Sequence, residues 1–317
     1  MNRNIIIVLL ILFIILNVLA CSNTEVSRDN ASNMLSTATE YENSKIQSTT
    51  NQTEANTPQE VELSRIEIFP EITGNLHGIA FDHSSNMFIG KDSKEIIKVT
   101  PDGKFSCFAE ITSDVLLNMT VGNDDCLYIV AKTKVYKVTD DGKAELLFEE
   151  KEFTQEFGGH NIIFDSEGNM YIPYLNTIYK YTPSLQKSVF LDGSKGDITF
   201  SLIAGMAFDK EEKKFYVSDP QRNNVVRYNV NSEGNLDSPC VFENIPCSEY
   251  IVIDCYDNAY IGDYTGSFIT RITKDSSVEK IVLSGSYDCN TIAFGNKGFG
   301  SQTLYGTSHA GKLFKIE

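Results

Sequence analysis

The chain contains no tryptophan, which argues against propeller repeats built on a Trp-Asp signature. Positive charge is scarce: 27 Lys and Arg face 43 Asp and Glu, giving a formal charge of −16 and a pI near 4.7. Nucleic acid, whose phosphates demand a basic face, is therefore excluded as a partner. There is no G-x-S-x-G elbow and no glycine loop suited to cradling phosphate, so no Ser-His-Asp or nucleotide site can be argued from a motif. Seven cysteines in 317 residues do not make a disulfide scaffold, and none has C-x-x-C metal spacing. Only Cys240 and Cys247 are close enough in sequence to be worth testing as a pair; scattered thiols are the expected state.

Long apolar runs are confined to one place. Arg3 precedes an unbroken stretch from Ile5 to Leu16, closed by Val18-Leu19-Ala20-Cys21. The stretch is shorter than the roughly 20 residues a spanning helix needs. It resembles a bacterial lipoprotein signal, which implies that residues 1–20 are removed and that Cys21 becomes the lipid-bearing N-terminus. The resemblance predicts an extracytoplasmic domain, lipid-anchored to a bacterial membrane. Residues 21–60 are rich in Ser, Thr, Asn, Gln and Glu and nearly free of aromatics. Such a segment cannot offset its own ordering entropy and reads as a disordered tether of reach ~35 Å.

What is present from 61 to 317 is a repeat. HGIAFD from His77, NMTVGN from Asn118, HNIIFD from His160, AGMAFD from Ala204, EYIVID from Glu249 and NTIAFG from Asn290 begin 41 to 45 residues apart. That is the spacing of four-stranded propeller blades. Each string is followed by a turn and a second strand, such as NMYIPYL from Asn169, and then by a third, such as TIYKYT from Thr177. Apolar and polar residues alternate with period two, and turns such as Thr100-Pro101-Asp102-Gly103 lead to a fourth strand. The sixth unit stops at Glu317 after its third strand, and Leu63–Phe69 is an orphan strand that can complete it. The expected fold is all-β: a six-bladed β-propeller of four-stranded blades, its ring closed by an N-terminal strand. The wording G-I-A-F-D…G-N-M-Y-I…I-Y-K-Y-T-P resembles the senescence marker protein/gluconolactonase (regucalcin-like) family and the related NHL-type repeats over nearly all of 61–317.

The first residue of each string should point into the mouth of the central channel, a ring of His77, Asn118, His160, Ala204, Glu249 and Asn290. Two imidazoles and a carboxylate on alternate blades (His77, His160 and Glu249) could hold one divalent metal ion of the Zn²⁺, Fe²⁺ or Mn²⁺ kind. The alternative is a set of wet polar groups bonded to each other and to water. The family resemblance implies a cation held by a first-blade Glu, a fourth-blade Asn and a fifth-blade Asp. Those positions are His77, Ala204 and Glu249 here, so only Glu249 keeps an acidic ligand; the third-blade substrate position falls at His160, with Asn161 beside it. Loops after the second strands should bring Lys91, Asp92, Tyr174, Asp219, Arg222, Asp263, Tyr264 and His309 to the same face. Glu249, Asp219 and Asp263 are the acid–base candidates; Asn118, Asn161, Asn290, Tyr174 and His309 are the ligand-binding ones. The basic residue recurring in the third strands (Lys98, Lys137, Lys180, Arg227, Arg271, Lys315) cannot converge on one ligand and is expected to lay its stem over neighbouring blades.

Two functional readings stay open. One is a monomeric, membrane-anchored propeller that binds a small polar molecule or an extracytoplasmic protein at its mouth. The other is a divalent-metal-dependent lactone or ester hydrolase resembling gluconolactonase. Streptogramin-inactivating lyases, also propellers, give a weaker third, because their repeat wording is not seen here.

Overall fold

The computed structural model describes residues 59–111, 116, 118–151, 162–246, 248–263, 268–285, 288–289 and 291–317. Its strands form six sheets, one per blade, each built outward in chain order except for the outermost strands of blades 5 and 6, which come from the N-terminal segment. In blade 1 the sequence of strands is Leu76–Phe81, Met87–Lys91, Glu95–Val99 and Phe105–Glu110. Blade 5 runs from Ser248–Ile253 through Ala259–Asp263 and Phe268–Ile272 to Val278–Leu283. Blade 6 supplies Thr291–Phe294, Leu304–Thr307 and Leu313–Ile316.

The N-terminal strand closes the ring. Arg65–Glu67 pairs antiparallel with Leu313–Ile316 as the fourth strand of blade 6. Glu317 and Ser64 exchange two backbone hydrogen bonds, at 2.8 and 3.1 Å. The closing strand is shorter than the 63–69 alternation suggested, because Phe69 turns at φ 48° ahead of Pro70. One element was not anticipated. Gln59–Leu63 lies parallel on Val278–Leu283 and gives blade 5 a fifth strand, so Gln59 and Glu60, within the segment read as tether, are strand residues.

The core lies between blades, where alternate side chains of facing sheets interdigitate. Phe88 and Ile96 of blade 1 meet Met119 and Ile129 of blade 2, all 4% exposed or less. Tyr171 and Ile178 of blade 3 likewise meet Phe215 and Val226 of blade 4. Each such side chain contributes about 1.5–3 kcal/mol of burial.

Four of the recurring basic residues, Lys98, Lys137, Lys180 and Arg271, lie over rings of their own blades, whereas Arg227 of blade 4 also reaches the next blade and donates to Ser276 Oγ at 2.8 Å. Strand register sets each of the four opposite an aromatic of the second strand: Phe88 with Lys98, Tyr128 with Lys137, Tyr171 with Lys180, Tyr260 with Arg271. The cations lie over those rings at 5.5, 5.6, 5.5 and 5.9 Å. For these four the directly opposed cross-strand ring is the near partner, so cation–π contact is made within the blade, and the expected inter-blade reach is made by Arg227.

Where the inner strands end, a buried Asp pins the turn. Asp82 accepts from the backbone N–H and side-chain amide of Asn86 at 2.7 and 2.6 Å. Asp165 does the same with Asn169, and Asp254 with Asn258. Neighbouring turns are then clipped together. Asp125 accepts the His83 N–H, Glu212 the Ser166 N–H and Asp257 the Lys210 N–H.

Candidate functional site

The opposite ends of the inner strands behave differently. In blade 1 the pairing slips between His77 and Ile79, leaving Gly78 as a bulge at φ 60°. Its N–H donates to Thr291 Oγ1 of blade 6 at 3.0 Å, and a Cβ there would come within 3.2 Å of Asn118 Oδ1. Both the left-handed φ and the crowding require glycine. Blade 5 slips in the same way between Ser248 and Tyr250, so that Glu249 is the unpaired residue. A bulge re-aims a side chain that strict pairing would keep within the blade. Gly205 lets the blade-4 backbone approach the bulge closely, since a Cβ at that position would lie 2.8 Å from the Glu249 carbonyl oxygen.

Burial pushes the Glu249 carboxyl up to about 7; His309 pulls the other way only in its protonated form, and the Asp263 carboxylate adds to the rise. Asp263 is 3% exposed and stands opposite Ser248 in the ladder. His309 belongs to the loop after the second strand of blade 6. Its Nδ1 lies 2.7 Å from Asp288 Oδ2, which also accepts the His309 backbone N–H at 3.1 Å. The His77 ring meets the His309 ring edge-on at 5.5 Å, and His77 Nε2 is 3.2 Å from Ser93 Oγ. Blades 1, 5 and 6 thus bring His77, Glu249, Asp263 and His309 to one neighbourhood, together with Asp288 from the spacer between blades 5 and 6.

The other predicted residues have local duties. Asp219 is fully buried and accepts backbone N–H groups from Ser201, Gln221 and Arg222 at 2.6, 3.1 and 3.2 Å, which commits its carboxylate to holding loops. Arg222 donates to Ser201 Oγ and Lys91 to Glu95. Asn118 is buried, its Oδ1 taking the next residue's N–H at 2.7 Å. Tyr174 is half-buried at the end of the second strand of blade 3. His160, Asn161, Asn290, Tyr264, Cys247 and Cys21 lie outside the described residues. Asp288 and Ser93 were not singled out in advance. Neither stands at a position the repeat marks, and Asp288 meets His309 across 21 residues of chain.

The donor set does not assemble a cation site from the described residues. No three His, Cys, Asp or Glu side chains among them gather as ligands. Ala204 is buried and brings no donor, while His77 and His309 already have Ser93 and Asp288 as partners. Beyond this mouth, a cavity of about 590 Å³ follows the inner strands of all six blades. Asn118, Tyr250 and Thr291 line its end nearest the mouth, Asn123, Lys210 and Asn296 the end nearest the turns. It is the bore of the ring, distinct from the acid–base cluster.

Residues 77–310 match the family model of the SMP-30/gluconolactonase/LRE-like region. No curated protein matches the chain. Among solved structures, a gluconolactonase from Xanthomonas campestris aligns at 14% identity over 77% of this chain and 86% of its own, with a TM-score of 0.64. The calcium-binding protein regucalcin from Agrobacterium tumefaciens aligns at 13% identity over 81% and 95%, TM-score 0.65. Virginiamycin B lyase from Staphylococcus aureus aligns at 14% identity over 80% and 98%, TM-score 0.57. Likeness at these identities concerns the architecture.

Proposed function

The chain belongs to the SMP-30/gluconolactonase/LRE-like family, and from that premise we propose that it opens a small lactone or ester, with Glu249 as the proton-handling group. The observation carrying this reading is the placement of Glu249. It is turned out of the strand ladder by a bulge and half-buried beside Asp263 and His309, with its carboxyl titrating near neutrality. A general base works best when its pKa lies close to the operating pH. In the carboxylate form Glu249 takes a proton from water as the water oxygen bonds to the acyl carbon. As the ring C–O bond breaks, the same proton passes to the leaving alkoxide. His77 and His309 form the adjacent polar wall against which the ester is oriented.

A divalent ion is the cofactor expected from the family, and calcium binding by the regucalcin neighbour supports that expectation. Because the described donors do not assemble around one, no step here depends on it. The binding-only reading is favoured by one residue, Ala204, at the position where the resemblance implies an Asn ligand. We further infer that Cys21 carries a lipid and that the propeller works outside the cytoplasm on a tether, supported by the residue pattern from Arg3 to Cys21.

Hydrolysis of glucono-δ-lactone and a panel of small esters tests the enzyme reading. The wild-type protein should turn over at least one of them, and Glu249→Gln should lower kcat about 10²- to 10⁴-fold. Ligand-induced thermal shifts without any turnover would favour the binding propeller instead. Metabolic labelling with an alkynyl fatty acid tests the anchor, since Cys21→Ser should lose both the label and membrane association.

A further inference from the structure

We propose that Asp288 is a positioning residue that holds His309 in a single tautomer, so that the channel mouth presents an unprotonated imidazole nitrogen to a hydroxyl or water. The inference rests on the mouth being the ligand site, as proposed above. An ionised carboxylate only accepts hydrogen bonds, so a neutral His309 whose Nδ1 lies 2.7 Å from Asp288 Oδ2 must carry its proton there. The same oxygen accepts the His309 backbone N–H at 3.1 Å, which fixes the carboxylate relative to the main chain. Asp288 is 19% exposed and His309 47%, so the clasp is sheltered while the rest of the ring faces solvent. His77 fixes the ring plane through its edge-on contact at 84°, and is itself held by Ser93. What remains is Nε2 with a lone pair, an acceptor for O–H and not for a carbonyl oxygen.

A His–Asp clasp alone does not make a functional group, and the molecule contains the control. On the opposite face Asp125 Oδ1 takes both the backbone N–H and Nδ1 of His83, each at 2.8 Å. That pair is more exposed, with the imidazole at 69% and the carboxylate at 41%. It clips one turn to the next, and the buried carboxylate beside it, Asp82, is committed to the Asn86 backbone and side-chain amide. The two clasps share their bonding pattern, and what differs is the company of His77, Glu249 and Asp263.

The test uses the full chain labelled with ¹⁵N-histidine, in which ring-nitrogen shifts report the tautomer directly. Wild-type His309 should be protonated at Nδ1. Asp288→Ala removes the oxygen that accepts both the Nδ1 proton and the backbone N–H and should shift the proton toward Nε2. With glucono-δ-lactone as the probe, that variant should lose about 10²-fold in kcat, while Asp288→Glu should restore the tautomer and part of the rate. Asp125→Ala should change the His83 tautomer alone and leave the kinetics unchanged. A wild-type His309 protonated at Nε2, or a tautomer indifferent to both Asp288 variants, overturns the proposal. A flip that leaves lactone kinetics untouched overturns the ligand role of Nε2. If the wild type turns over no lactone, a flip that changes probe binding still supports the positioning role, so the failure then belongs to the hydrolase reading.

Discussion

The two ends of the inner strands can be compared residue by residue. At the turn end four blades repeat one device: a buried Asp (Asp82, Asp165, Asp209 or Asp254) holds the turn's backbone, and in blades 1, 3 and 5 an Asn is its partner. At the mouth end the equivalent positions hold His77, Asn118, Ala204 and Glu249, and two blades break their pairing with bulges. Repetition serves closure of the ring, which needs each blade to meet the next in the same way. Departure from repetition collects at the mouth, where His77, Glu249 and His309 of different blades come together. The comparison therefore separates residues that hold the propeller together from residues that use it.

The sharpest way to break this division is to mutate both ends. Glu249→Gln should cost the largest effect, a 10²- to 10⁴-fold fall in kcat, equivalent to about 3–5 kcal/mol of transition-state stabilisation, without loss of fold. Circular dichroism and hydrolysis assays on the same sample check it. Asp165→Ala should do the reverse. It removes the acceptor for Asn169, Glu167 and Tyr171, and should destabilise by about 3 kcal/mol in urea titration while leaving KM unchanged. A loss of activity without a loss of stability would show that the turn end is not purely structural.

The third prediction concerns pH. The Glu249 carboxyl is raised from 4.5 to about 7 in the folded protein, so between those values the native state binds more protons than the unfolded one. The contribution of this group is present below pH 4.5 and is lost as pH climbs to 7, by up to about 3 kcal/mol. Glu249→Gln should flatten that part of the stability profile and be more stable than wild type at pH 8. Thermal melts from pH 5 to 8 check the sign; a parallel pair of profiles would place the carboxylate in water after all. The smallest effect should come from Lys98→Met, which removes a cation over Phe88 and Phe108 at 5.5 and 5.2 Å. About 0.5–1 kcal/mol should be lost, with no change in kinetics.

Much of the propeller was legible in advance because period-two alternation and a fixed spacing are local properties of the chain. The strings from His77, Asn118 and Glu249 all fall on inner strands, and the orphan alternation near Arg65 supplies the closing strand. The third-strand cations were recognised as a series, yet their aromatic partners were not. Pairing Lys180 with Tyr171 depends on strand register, which the repeat implies only once the hairpin is folded. Asp219 looked like an acid–base residue by position, whereas its carboxylate is spent on three backbone N–H groups.

Periodicity and the 41- to 45-residue spacing of the repeat determined that the chain forms six four-stranded sheets around an axis, because each copy spells the same set of strands. The acid–base cluster was decided by closure. Asp288 and His309 flank a whole hairpin of blade 6, and His77 reaches them only because the ring returns blade 6 to blade 1. Nor could the sequence show that Glu249 titrates near neutrality, since that follows from the desolvation and charges gathered around it after folding. Local pattern specifies strands, while the electrostatics of a site belong to residues that meet across blades.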